Sequence, residues 1–321
     1  MPATPILRRP LDAFATGTML VLCLCWGYQQ IAIKLAAADV SPTLQIGLRS
    51  AFAALVLGAV VLHREGAGAF RDGTLRAGLV AGLLFAAEFL FVGLGLHYTT
   101  ASHMAVFLYT APVFTALGLH LILPDERLRP LQWLGIVAAF AGIAVAFLGK
   151  RDVAAAPDML LGDLFGLLAG ATWGATTVAI RGSALSDAPA TKTLFYQMAL
   201  AGLLLPLWHL ATGDAAPVWS GTAVASLAFQ SVVVALSSYL AWFWLMRRYL
   251  ATRLAVLSFA TPLFGVGLGV LILDEPLEVS FVAGAALVLA GITLVSSAEL
   301  VRGWLRRRAA AQPPAAPQRR N

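Results

Sequence analysis

The sequence predicts an all-α, polytopic membrane protein with ten transmembrane helices arranged as two inverted five-helix repeats. Three observations carry this. The chain of 321 residues is 60% hydrophobic and only 12% charged, with a mean hydropathy of +0.82, where a soluble domain carries about 25% charged residues. Its apolar runs are long enough to cross a bilayer, which takes about 20 residues each. And the stretch Cys23 to Lys34, CLCWGYQQIAIK, returns as Gly170 to Arg181, GATWGATTVAIR, with Trp26, Gly27, Ala32, Ile33 and Lys34 matching Trp173, Gly174, Ala179, Ile180 and Arg181 at a constant offset of 147.

Charges and Pro/Gly clusters cut the chain into helices at about 15–36, 42–62, 75–98, 101–123, 130–149, 160–182, 191–211, 220–247, 251–273 and 278–298. The first run is read as a span and not a cleaved leader, because Gln29, Gln30 and Lys34 interrupt the apolar core a leader needs. The domain plan is a cytoplasmic segment 1–14, a first repeat 15–149, a connecting loop 150–159, a second repeat 160–298 and a basic tail 299–321. The tail's six arginines and Pro/Ala/Gln run predict disorder.

Lys and Arg fix the orientation. With the N-terminus in the cytoplasm, all of the 22 fall on the cytoplasmic side except Lys34, Lys150 and Arg151 outside and Arg49 within a span. That bias places both termini inside. It also accounts for the net charge of +6, so the basic balance calls for no nucleic acid. Cys23 and Cys25 lie two apart in one helix and point to different faces, which excludes a mutual disulfide. No metal or cofactor motif appears, and His97, His103 and His120 read as interfacial histidines, not as a ligand set.

The repeat continues past the opening motif. Pro112-Val113-Phe114 matches Pro262-Leu263-Phe264, Asp125-Glu126 matches Asp274-Glu275, and Gly135 and Gly142 match Gly284 and Gly291, at offsets of 149 or 150. Five spans is an odd number, so the second copy enters the membrane from the opposite side, a device of secondary transporters. Taken in order and twice over, these pieces resemble the drug/metabolite transporter superfamily, and within it the EamA-type ten-helix transporters. The resemblance covers residues from about 15 to 298. It implies two five-helix bundles about a central cavity, alternating access, and export of small metabolites, amino acids or drugs from the inner membrane.

The residues themselves single out a set of candidates. Glu88 stands alone near the middle of the third span, where charge is costly and faces a cavity or a partner. It is a site for a substrate amine or for coupling to protons. Arg49, about two turns into the second span, reads as a gate or helix-pairing cation, with Gln197 at its mirrored place. Lys34 and Arg181 end their helices and serve either as gates or as snorkelling cations. Trp26 and Trp173 sit away from the interfacial belt that tryptophan favours and read as cavity-lining indoles. Gln30, Tyr109, Thr177, Ser238 and Tyr239 supply polar groups within spans. Pro112 and Pro262 lie inside helices and predict kinks that could serve as hinges. The paired acids Asp125-Glu126 and Asp274-Glu275 read as caps of the helices after them. Gly265-Val266-Gly267-Leu268-Gly269 comes after no strand and reads as a packing surface, not a phosphate loop.

The functional expectation is a secondary active transporter whose partners are the lipid bilayer, a small-molecule substrate and, through Glu88, protons. No Walker-type motif supplies a motor. A membrane-embedded enzyme acting on a lipid-linked substrate would need a polar cluster at one interface, which the sequence lacks. A passive facilitator is the third reading. Oligomeric state is left open, since the glycine-bearing helices serve packing within one subunit as well as between two.

Overall fold

The computed structural model describes residues 12–123, 127–148, 158–249, 254 and 257–310. Arg8, Arg9, Asp125, Glu126, Lys150, Arg151, Arg253 and the tail past Ala310, all used in the sequence reading, lie outside them. The described helices are α1 (Ala13–Leu35), α2 (Pro42–Glu65), α3 (Leu75–Tyr98), α4 (Ala101–Leu108), α5 (Ala111–Ile122), α6 (Pro130–Leu148), α7 (Met159–Arg181), α8 (Ala190–Thr212), α9 (Gly221–Ala228), α10 (Tyr239–Arg248), α11 (Ala260–Leu273) and α12 (Val279–Ala310), with short 3-10 turns between some of them. Phe229–Ser238, between α9 and α10, is wound as a π-helix. No strand occurs among the described residues.

Eight helical stretches among the described residues are long and apolar enough to cross a membrane, and two shorter apolar helices, Pro130–Ala146 and Ala260–Leu273, accompany them. This is a polytopic membrane protein. Its surface agrees: Leu55, Leu121, Leu210, Leu271 and Val279 are each more than 70% exposed, a burden that lipid removes and water would not.

Two expectations change at the level of elements. Ala101–Ile122 is together long and apolar enough to cross a membrane, but the prolines do not kink a continuous helix. The helix stops at Tyr109-Thr110, and Pro112 sits in the first turn of α5, where its missing N–H costs nothing. The second half repeats the break at Phe259, before α11 and Pro262. The tail also differs. α12 continues past 298 to Ala310, so Arg302 to Arg308 are helical, not disordered. Arginine is a good helix former, and Pro313 and Pro314 come only afterwards.

Glycines set the helix crossings. α6 and α12 pack antiparallel, Gly135 against Gly291 and Gly142 against Gly284. A Cβ on Gly135 would lie 2.7 Å from the Gly291 carbonyl, and one on Gly142 would lie 2.6 Å from that of Gly284. The glycines of the opening motif do similar work. A Cβ on Gly27 of α1 would lie 2.9 Å from the Gly265 nitrogen in α11, and one on Gly174 of α7 would lie 2.7 Å from Phe114 Cβ in α5. The Trp-Gly pair is therefore a crossing point with an indole beside it, in both copies.

Polar staples join the two halves near the helix ends. The Lys192 side chain, at the start of α8, is fully buried. Its ammonium donates to Asp72 Oδ2 at 2.5 Å and to the Ala69 carbonyl, with Glu65 Oε2 at 3.8 Å. Thr74 donates to Asp72 Oδ1 at 2.6 Å and meets the Tyr196 hydroxyl at 3.1 Å. The hydrogen bond from Lys192, helped by those from Thr74, holds the Asp72 carboxyl well below the usual carboxylate range. A carboxyl lowered on folding stabilises fully above its unfolded value, about pH 4, and loses that contribution as pH falls further. Thermal unfolding in detergent is thus expected to show a wild-type melting temperature that drops below about pH 4. Asp72→Asn should start lower at neutral pH and show less of that acid loss; an identical acid profile in the two proteins would remove Asp72 from the account. At the other face, Ser220 donates to Asp39 Oδ2 at 2.5 Å and Ser41 meets His209 Nδ1 at 3.0 Å, docking the 213–220 connection on the α1–α2 turn.

Candidate functional site

A cavity of about 420 Å³ opens between α5, α6, α7 and α12. Pro112, Thr115, Trp173 and Thr177 line its walls, and Arg127, Arg129, Gln132 and Ser296 stand toward its mouth. The volume suits a small metabolite. Thr177 lies one turn beyond Trp173 on α7 and donates to the Trp173 carbonyl at 3.2 Å, so both face the opening.

Trp173 also meets Tyr109 edge to face, with ring centroids 5.4 Å apart at 89°. Tyr109 ends α4 at the helix break and is 9% exposed. Behind it lies a charged interior. Tyr109 and Tyr239 both feel the Glu88 carboxylate, and Glu88 and Tyr239 both feel the Arg49 guanidinium. Arg49 also lies flat toward Phe89, with Cζ 4.7 Å from the ring centre. The Thr261 hydroxyl is close to the Tyr109 hydroxyl and the Cys23 thiol.

This interior is unsatisfied. Among the described residues, Gln30 Oε1, Arg49 Nη1, Glu88 Oε2, Gln230 Oε1 and Thr261 Oγ1 are buried without a hydrogen-bond partner. Arg49 and Glu88 attract one another, yet no direct ion pair closes between them. Each buried orphan costs about 1–3 kcal/mol, more for a charged group. Of these, Arg49 Nη1 and Glu88 Oε2 belong to neighbouring charge-bearing side chains and are open to a solute or water that would complete them.

The remaining candidates fall elsewhere. Trp26 donates to Ser238 Oγ at 2.9 Å and meets Trp242 edge to face at 5.7 Å, so it packs α1 against the π-helix and α10. Gln197 is buried on α8, and Arg181 ends α7 at the surface. Lys34 ends α1 and faces the Glu275 carboxylate. Gln230 also donates to Gln45 Oε1 at 2.9 Å, and Gln45 donates to the Val40 carbonyl at 2.8 Å, which ties the π-helix to the α1–α2 turn.

Three groups escaped the sequence reading. Thr261 was signalled only by its place directly before a helix-breaking proline. His103 is 1% exposed and pairs with the buried Asp163, which corrects the reading of it as an interfacial histidine. Glu275 caps a helix, but the helix is α4, 174 residues away, and not the next one in the chain. Among the described residues no group of three His, Cys, Asp or Glu side chains could hold a metal ion.

A membrane-spanning helical bundle with an open cavity and incompletely paired charge behind it is the architecture of a small-molecule transporter. The sequence pattern of the EamA-like transporter family matches residues 14–148 and again 160–297, and the chain belongs to that family. It is 24% identical to the uncharacterized transporter YoaV of Bacillus subtilis (strain 168), over 85% of this chain and 94% of that one. It is 28% identical to the uncharacterized transporter YvbV of the same organism, over 88% and 92%. A probable amino-acid metabolite efflux pump of Escherichia coli (strain K12) is 26% identical over 85% and 91%. One crystal structure shares the fold at a TM-score of 0.62 and 23% identity, covering 91% of this chain and all of the other. The family and these relatives bear the names of transporters, not of enzymes.

Proposed function

We propose that the chain is a secondary active transporter of the inner membrane, with ten spans in two inverted five-helix repeats and both termini cytoplasmic. It moves a small metabolite or amino acid outward by alternating access. The observation that carries this reading is that Arg49 and Glu88, both buried within spans, each keep a polar atom without a hydrogen-bond partner. A closed structural core has no use for them, whereas a passing solute supplies the missing partners. The cavity at Trp173 and Thr177 is the entry from the side bearing Arg127 and Arg129, and the Tyr109–Trp173 contact divides it from the charged interior. The efflux name of the Escherichia coli relative supports the outward direction. Gln30 and Tyr239 complete the interior wall, Arg181 and Gln197 stand toward the cytoplasmic side, and the breaks before Pro112 and Pro262 serve as hinges.

Counterflow in reconstituted vesicles tests the reading, with a panel of amino acids and small metabolites chosen by a growth-tolerance screen. Exchange of labelled for unlabelled solute is the expected result. Ohmic flux would replace the carrier with a passive pore, and a chemically altered solute would replace it with an enzyme. Trp173→Ala, which removes a cavity wall and frees Tyr109, is expected to lower exchange several-fold, up to about tenfold, the scale of a lost aromatic contact. Undiminished exchange at every solute concentration would take Trp173 off the pathway.

A second reading, coupling to protons, rests on Glu88 being buried and unpaired within the span. Glu88→Gln is expected to end transport driven by an imposed pH gradient. Full proton-driven transport by that variant would exclude Glu88 as the coupling group.

A further inference from the structure

The first turn of α4 gathers buried charge from two separate elements of the second half. All eight residues of this helix are buried, so it has no lipid-facing surface. Its free amino end is capped by Glu275, from the connection between α11 and α12. The Glu275 carboxylate accepts from the Ala101 N–H at 2.7 Å, the Ser102 N–H at 2.9 Å and the Ser102 hydroxyl at 2.6 Å. Gly269 makes the room, since a Cβ there would strike both that carboxylate and the Ser102 hydroxyl. Asp163, fully buried in the early part of α7, accepts from the Thr99 hydroxyl at 2.5 Å. Both its oxygens lie 3.0 Å from His103 Nδ1. The His103 ring stacks on Phe281 of α12, centroids 3.7 Å apart at 6°. Lys34 faces Glu275 from the end of α1.

These contacts sit at the opposite end of the α4–α5 span from the cavity mouth at Arg127 and Arg129. One end of the α4–α5 span thus borders the open cavity, and the other is clasped by charge-assisted bonds, which are about twice as strong as neutral ones. We propose that Glu275 and Asp163 form the outer latch of the transport cycle. They grip α4 while the cavity is open to the cytoplasm, and they release it when the path opens outward. The latch rests on the alternating-access reading of the proposed function. The two carboxylates are positioning residues: they act through α4, whose last residues lead to Tyr109, and touch no solute.

The test uses the full chain in proteoliposomes, with Cys23 and Cys25 replaced by alanine. Gln30→Cys, one turn from Lys34, reports the outer path, and Thr177→Cys reports the cytoplasmic cavity. The readout is the rate of reaction with a membrane-impermeant maleimide added from each side. Glu275→Gln keeps the shape and removes the charge. It is expected to raise the Gln30→Cys rate about tenfold, the value of one strong hydrogen bond to a charged group, and to lower the Thr177→Cys rate. Ser102→Ala, which deletes one donor only, should shift both rates in the same directions by less. Unchanged rates in a variant that melts like the parent would reduce Glu275 to a helix cap and overturn the latch, while leaving counterflow exchange standing. Both rates rising together would mean loosened packing and overturn it as well. A rise at Gln30→Cys with the Thr177→Cys rate unchanged would mean a continuous pore, and would end the latch and alternating access together.

Discussion

An Arg49→Gln substitution is expected to abolish exchange, by about a hundredfold or more, and to lower the yield of folded protein. Arg49 is 3% exposed and Glu88 is 4% exposed, and the guanidinium and the carboxyl lie near one another in a medium with little screening. A hundredfold loss of exchange corresponds to about 2.8 kcal/mol at about 1.4 kcal/mol per factor of ten, the scale of a lost hydrogen bond to a charged group. Folded yield falls as well, because the buried groups near Arg49 lose their cation. The double variant Arg49→Gln/Glu88→Gln separates the two consequences. With no charge left to strand, folded yield should return toward that of the parent, while exchange stays lost because neither pole remains to bind a solute. Size-exclusion profiles and counterflow read the two quantities separately. A double variant that exchanges at more than about a tenth of the parental rate, the factor set by 1.4 kcal/mol, would show that the charges serve the fold alone.

The next largest effect is expected at Gly142. A side chain there meets backbone, the Gly284 carbonyl at 2.6 Å and the Val288 nitrogen at 2.7 Å, so no rotamer change relieves it. Overpacking of this kind costs about 1–3 kcal/mol in well-packed cores, and here two rigid helices must separate along their whole length. Gly142→Leu should leave little monodisperse protein after detergent extraction, and Gly142→Ala an intermediate amount. Gly17→Ala, on α1 where a Cβ would meet nothing within 4 Å, is the control and should match the parent. A Gly142→Leu protein that extracts and melts like the control would mean α6 and α12 do not depend on this crossing.

The outline of the fold was legible because lipid imposes it. A segment crossing a bilayer must be long and apolar, so the positions of α1, α2, α3, α7 and α8 can be read from hydropathy alone. Deep ionisable groups were legible for the same reason: Arg49 and Glu88 stand out because no other ionisable residue lies in the middle of their spans. The prolines were legible as breaks but not as to where the break falls, since the chain places them in a first turn to avoid an unmet carbonyl. What stayed hidden was the choice of distant partners. Nothing near Glu275 announces that it caps α4, and nothing near Lys192 announces a buried site between Ala69 and Asp72. Those depend on which loops the packed helices bring together. His103 was misread because its local context is interfacial, while Asp163, far along the chain on α7, decides its burial.

The π-helix at Phe229–Ser238 has a consequence of its own. An amide in such a stretch reaches one residue further back than in an ordinary helix, so the coil holds slack. Taking up that slack shifts register without cutting the rod, and each residue of shift swivels the remainder of the helix by about 100°. Tyr239 would swing off Arg49, and Ser238 off the Trp26 indole. A slip of that kind would carry the rest of α10 round with it, and the Trp26–Trp242 contact would turn as well.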